Sequence, residues 1–199
     1  MLSSAYTSAR RVPRQYRARQ TVEAVLAAVP LVLKRQGAGA LTTNRIAEVA
    51  GVSIGSLYQY FPDKQSVFSA LHQRHVEDVR AVLKRNIAAQ RLSSFSEFVA
   101  NLVEELVDLH SVDTELHGLI RASVNEGPEH FRSALRAAFA EAIGKCGSDS
   151  MNRILLVLPS LIEGVVHGVT LSPLASRDAK REAVKATGAY LATHPELGG

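Results

Sequence analysis

Gly51 stands between two short, apolar-periodic segments, residues 42–50 and 53–61, and this pinch limits the fold more than any other feature of the chain. Thr42 or Thr43 can cap the first segment by accepting from an otherwise unpaired backbone N–H. Ile46, Val49 and Ala50 then recur at helical spacing and give that segment one apolar face. A glycine just past the last turn can take the left-handed conformation that closes a helix without steric cost. Val52 plugs the corner, and Ser53 can cap a second helix. At about 100° per residue, Ile54, Leu57 and Phe61 fall on its inner side. Two helices joined this tightly form a helix-turn-helix.

The outer side of the second helix is small, polar and aromatic. Gly55 and Gln59 point outward, Ser56 and Tyr60 flank them on one side and Tyr58 on the other, and no acidic residue intrudes. Such a face suits the major groove of double-stranded DNA. Gly55 lets backbone approach the duplex, Ser56 and Gln59 can bond base edges, and the tyrosine hydroxyls can reach phosphates. Ile54 either meets a thymine methyl or anchors the helix. Thr43, Arg45 and Ser53, beside the same helix ends, belong with this set. Asp63 can cap a following helix, which puts Lys64 in the first turn, where the macrodipole disfavours a cation. A phosphate would offset that cost; the alternative is a solvated lysine.

Thr43, Ile46, Ala47, Ala50-Gly51-Val52-Ser53, Gly55, Leu57-Tyr58, Tyr60-Phe61 and Lys64 together resemble the DNA-binding segment of the tetracycline-repressor (TetR) family of bacterial regulators. The likeness covers residues 20–70; the remainder agrees in length and helical character. It implies an all-α fold, with a three-helix helix-turn-helix domain at residues 1–63 and a larger helical bundle for ligand binding and dimerisation at residues 64–199. It also implies a homodimeric repressor that binds a palindromic operator and is released by a small-molecule effector, with Lys64 on a phosphate. Pro30 departs from the family pattern and is expected to kink or end the first helix.

Charge divides the chain in the same way. Residues 1–64 hold nine Lys/Arg and three acids, net +6, while residues 65–199 hold 14 and 16, net −2, within an overall +4. A basic module joined to a near-neutral remainder is the electrostatic footprint of nucleic-acid binding. Arg14, Arg17 and Arg19 border the first helix and can reach the phosphate backbone; Arg10 and Arg11 suit either that role or a solvated tail. The single cysteine, Cys146, excludes an internal disulfide and suits a reducing cytoplasm. Residues 1–5 lack the apolar core of a signal peptide, and the apolar run 154–162 is expected to fall far short of a membrane span.

Helical periodicity then continues to the end. Helices are expected at 12–32, 63–91, 94–109, 113–126, 129–145, 150–170 and 176–191. The helix over 150–170 is apolar around much of its circumference; with the last helix it is the candidate dimer seam, where Gly164, Gly168, Ala175 and Ala179 permit close approach. Two copies are required because one short helix touches too few base pairs to select a genomic site. The resemblance implies that the middle helices form the sensor. Its candidate pocket residues are Phe98, Leu102, His110, His117, Phe131, Phe139 and His167, each of which also suits a plain core, and the scarcity of charge among them favours an uncharged or largely apolar effector, to which His110 and His117 can add polarity.

An enzyme is not expected. His72, His75 and Asp78 recur every three residues, but no second cluster completes a metal site, no serine sits in a nucleophile elbow, and no glycine loop cradles phosphate. No catalytic residue, cofactor or metal is therefore assigned. A sequence-tolerant architectural DNA protein would use the same basic segment but would not need the large apolar second domain.

Overall fold

The computed structural model describes residues 16–89, 94–111, 114–123, 129–143, 149–172 and 176–194. Among them it is all-helical: α1 (Tyr16–Gln36), α2 (Thr43–Ala50), α3 (Ile54–Tyr60), α4 (Lys64–Ala89), α5 (Phe95–Ser111), α6 (Thr114–Ser123), α7 (Glu129–Ile143), α8 (Asp149–Thr170) and α9 (Ser176–Leu191). A single 3-10 turn, Ala38–Ala40, joins α1 to α2. The N-terminal arm before Tyr16, the Gly127-Pro128 break, Cys146 and Ala175 lie outside the described residues.

The described residues divide into two compact units: those up to Glu77 with those of Glu115–Asn125, and those of Asp78–Thr114 with those from Glu126 onward. The first is built on α1, whose Val22, Val25, Leu26 and Val29 are all buried, as their spacing predicts. Of the two outcomes expected at Pro30, the early end is not seen: α1 runs on through the proline to Gln36. Val32 and Leu33 lie beyond the proline and are buried in the same core, so packing outweighs the one donor that proline removes. Ile46, Leu57, Phe61, Val67, Phe68 and Leu71 complete this core.

Ile120 is buried in the first core, with Leu116 and Leu119 packed against it, so most of α6 belongs with the helix-turn-helix. Gln65 at the start of α4 donates its side-chain amide to the carbonyl of Ser123 at the end of α6. An ion pair between Arg74 of α4 and Glu23 of α1 fixes the same helix.

The second unit packs α5 on α8 and α9, and α7 on α8. Ser94 and Glu97 form a capping box at α5, each side chain accepting from the other's backbone N–H at 3.3 and 2.9 Å. The core holds Phe95, Phe98 and Phe139, with Phe98 and Phe139 edge-to-face at 6.0 Å. Glu105 holds Arg85 at 2.8 Å and accepts from the side-chain amide of the buried Asn86 at 3.1 Å. Ala179, expected at the dimer seam, is instead buried in the unit's own core, on the side of α9 turned toward its neighbours.

The expectation that the apolar run of α8 falls far short of a membrane span needs correction. By length and composition alone, Asn152–Thr170 is long and apolar enough to cross one, because Pro159 and Glu163 interrupt the run without ending the helix. Its inner stripe, Ile154, Leu158, Ile162 and Val166, is wholly buried in the second core, and a core helix passes the same test.

Candidate nucleic-acid interface

Thr42 caps α2: its hydroxyl accepts from the Arg45 N–H at 3.2 Å. Gly51 follows α2 in the left-handed region, φ 67° and ψ 29°, and the Val52 N–H returns to the Ala47 carbonyl at 3.0 Å. Ser53 caps α3 by accepting from the Ser56 N–H at 3.0 Å. Phe61 ends the element, its N–H on the Leu57 carbonyl at 2.9 Å and its ring fully buried. These contacts fix α3 on the rest of the first unit from both ends and from below.

The upper face of α3 is free. Ile54 is 37% exposed and Tyr58 43%, with Gly55 and Gln59 also exposed. Ile54 was expected on the inner side and is not there: at the first residue of a seven-residue helix, the turn that enters it sets direction more than the helical wheel does. Tyr60 is half-buried against the first core. A Cβ added to Gly55 would meet only Ser53 Oγ, at 3.9 Å, and its φ is not positive, so nothing within the chain requires glycine there.

The other predicted residues gather around this face, several of them already engaged. Thr43 Oγ1 lies 3.1 Å from the Tyr58 hydroxyl, joining the first turn of α2 to the middle of α3. Ser53 and Ser56 pair their hydroxyls at 2.8 Å. Arg45 donates from Nε to Gln36 at 2.9 Å and meets Glu48 at 2.6 Å, so its guanidinium is oriented by two neighbours. Asp63 caps α4, accepting from the Ser66 N–H at 2.7 Å. Lys64 therefore occupies the first turn as expected, and its ammonium sits 5.7 Å from the Phe68 ring, a cation–π contact absent from the sequence argument. Arg17 and Arg19 are exposed on the first turn of α1.

The candidate effector residues are divided between the two units. Phe98, Leu102 and Phe139 are core. His110, Phe131 and His167 come together within the second unit: the imidazoles are 5.0 Å apart and nearly perpendicular, and Phe131 lies 6.1 and 5.9 Å from them. Each imidazole Nδ1 faces a backbone carbonyl one turn back, Leu106 at 2.7 Å and Glu163 at 2.8 Å, so each carries its proton there. His117 lies in the first unit, its ring 4.7 Å from that of His75. A separate cleft of about 1100 Å³ opens between the second half of α4 and α7, and none of the seven residues lines it.

A capped two-helix turn presenting a polar, acid-free helix from a buried base defines a helix-turn-helix. The sequence signature described as bacterial regulatory proteins, tetR family, matches residues 30–71. The nucleoid occlusion factor SlmA of Haemophilus ducreyi is 46% identical over 46 residues, 23% of each chain. The first matched relatives are thus covered over less than half of their length. A TetR-family transcriptional regulator of Streptomyces coelicolor superposes with TM-score 0.65 at 21% identity, covering 87% of this chain and 98% of that one. SmeT, in a complex with triclosan, superposes with TM-score 0.55 at 22% identity, covering 87% and 90%. At these identities the structural likenesses are of fold. Signature and fold agree: residues 30–71 match the DNA-binding segment of the tetR family, and the described helices share the fold of TetR-family regulators.

Proposed function

We propose that the chain is a cytoplasmic, homodimeric repressor whose two copies of α3 enter successive major grooves of a palindromic operator, and that a small molecule bound by the second unit releases it. The observation that carries this reading is the outer face of α3. Glycine is a poorer helix former than alanine, and Gly55, in the first turn of α3, has no neighbour within the chain that demands it. A surface approaching from outside supplies the reason, and exposed Ile54, Tyr58 and Gln59 supply matching contacts.

Dimerisation rests on α8. Leu156, Val157 and Leu171 are exposed, and Gly164 and Gly168 on the same side leave open space where a side chain would stand. A second copy laid on this stripe buries it and gives the two-fold symmetry a palindrome requires. Small-molecule release rests on the resemblance to the TetR family and on SmeT, a fold relative seen with triclosan. By linkage, the inducer must favour the DNA-incompetent state, typically by about 1–3 kcal/mol.

Fluorescence anisotropy on a selected palindromic duplex against scrambled DNA, at near-physiological salt, tests the reading. We expect a preference of roughly a thousandfold or more, reduced by Tyr58→Ala and Lys64→Ala. Equal, steeply salt-dependent binding to both duplexes would instead support the architectural alternative.

A further inference from the structure

The cleft between α4 and α7 has a chemical character of its own. Its floor is the edge of the second core: Leu83 and Ala138 are buried, and Ile87, Ala134 and Ala142 are packed half-buried against that core. The α7 wall carries only alanines and Glu141, so nothing bulky from that helix fills the gap. At about 1100 Å³ the space is slightly larger than most small-molecule sites, roughly 300–1,000 Å³. At the mouth, Arg80 and Lys84 stand one turn apart on α4, both exposed, and neither pairs with a described residue. Glu141 is the one carboxylate of the lining, which leaves two cations against it.

We infer that this cleft binds an amphipathic anion, its carboxylate or phosphate head on Arg80 and Lys84 and its apolar chain laid along Leu83, Ile87 and the alanine wall. This deepens the repressor reading and rests on it, since the bound amphiphile is the effector. It departs in its charged head from the uncharged or largely apolar effector that the sequence alone favours, because the two cations face a cleft that the residue stripes did not reveal. The i, i+4 spacing of Arg80 and Lys84 lets both donate to one anionic group. An apolar chain gains by leaving water along a floor that the fold already holds in place. Free carboxylate and phosphate-bearing conjugates share this chemistry, and the choice between them is experimental.

The test is displacement of a dansyl-labelled undecanoic acid from the full chain by dodecanoate, dodecyl phosphate, dodecanol and dodecylamine, below their micelle-forming concentrations. Because the chain contains no tryptophan, the probe is read without indole background. We expect dodecanoate or dodecyl phosphate to displace the probe at least tenfold better than dodecanol, and dodecylamine to be weakest. Arg80→Ala and Lys84→Ala, both exposed, should weaken the anions about tenfold each and leave dodecanol within twofold. Ala137→Leu, on the exposed alanine wall, should weaken all of them while the helical circular-dichroism signal is retained. Equal displacement by anion, alcohol and amine, or indifference to Arg80→Ala and Lys84→Ala, overturns the site. Operator anisotropy is measured in parallel. Variant-sensitive anion binding that leaves operator affinity unchanged upholds the cleft and overturns its role as effector site; absence of any operator preference sinks the repressor reading and leaves the cleft judged by displacement alone.

Discussion

The hydroxyls of Thr43 and Tyr58 lie 3.1 Å apart, tying the first turn of α2 to the exposed face of α3. Both were read from the sequence as DNA-contacting residues; their pairing orients the phenol on the outer face of α3 before any duplex arrives. An exposed hydrogen bond of this kind contributes about 0.5–1.5 kcal/mol at most. We therefore expect Tyr58→Phe to shift the unfolding midpoint little while lowering operator affinity roughly tenfold, about 1.4 kcal/mol. Thr43→Val should lose part of the same effect. In a double-mutant cycle read by anisotropy, the two losses should not add; full additivity would mean that each hydroxyl acts on DNA alone.

Gly55 gives the opposite pairing of stability and function. A methyl group at this position meets only Ser53 Oγ at 3.9 Å, an ordinary contact. Gly55→Ala should accordingly raise stability, by less than the roughly 1 kcal/mol of a helix interior because Gly55 lies in the first turn of α3. The same methyl would stand between α3 and the duplex, so operator affinity should fall. Chemical denaturation and anisotropy on one preparation check both signs, and undiminished operator binding by Gly55→Ala would remove the close-approach argument.

How far the sequence led can be seen residue by residue. The helix-turn-helix was legible because caps, glycine turn and inner residues are local: Thr42, Gly51, Ser53, Leu57 and Phe61 all stand as expected. Ile54 was misplaced, since a helical wheel presumes a helix already under way and Ile54 begins one. The partner of α6 was not legible. Its stripe of Leu116, Leu119 and Ile120 says that one side is buried, but periodicity cannot say against what, and the structure puts it in the first core. Phe98, Leu102 and Phe139 are buried in the second core, and their stripe could not assign them to core or pocket, because apolar cores and apolar pockets use the same residues. The cleft beside α7 had no sequence signal at all, since alanines on a helix face read as tight packing until the neighbouring helix is found to stand off.

Gly51 tests the turn independently of DNA. With φ at 67°, a side chain there meets no neighbour but must adopt the left-handed conformation. That costs an L-residue roughly 1–2 kcal/mol, and asparagine less than alanine. Gly51→Ala should lower the urea midpoint accordingly with an unchanged denaturant slope, and Gly51→Asn should fall between it and the parent. Equal losses for the two variants would point to crowding rather than backbone conformation.

The α8 stripe separates association from folding. Leu156 is 62% exposed, whereas Ile154 and Leu158 on the buried side of the same helix are fully enclosed. Leu156→Glu should therefore leave each protomer folded, because the new carboxylate stays in water in an isolated chain. In a dimer it would lie between two apolar helices near its own symmetry mate, losing hydration and facing a like charge. We expect sedimentation equilibrium to show monomer at concentrations where the parent is dimeric, with the circular-dichroism signal unchanged. Operator affinity should drop steeply in the same variant, since one α3 makes only half the contacts and the palindrome no longer adds the second half. A monomeric variant that still bound the full palindrome as tightly as the parent would separate recognition from the two-fold assembly.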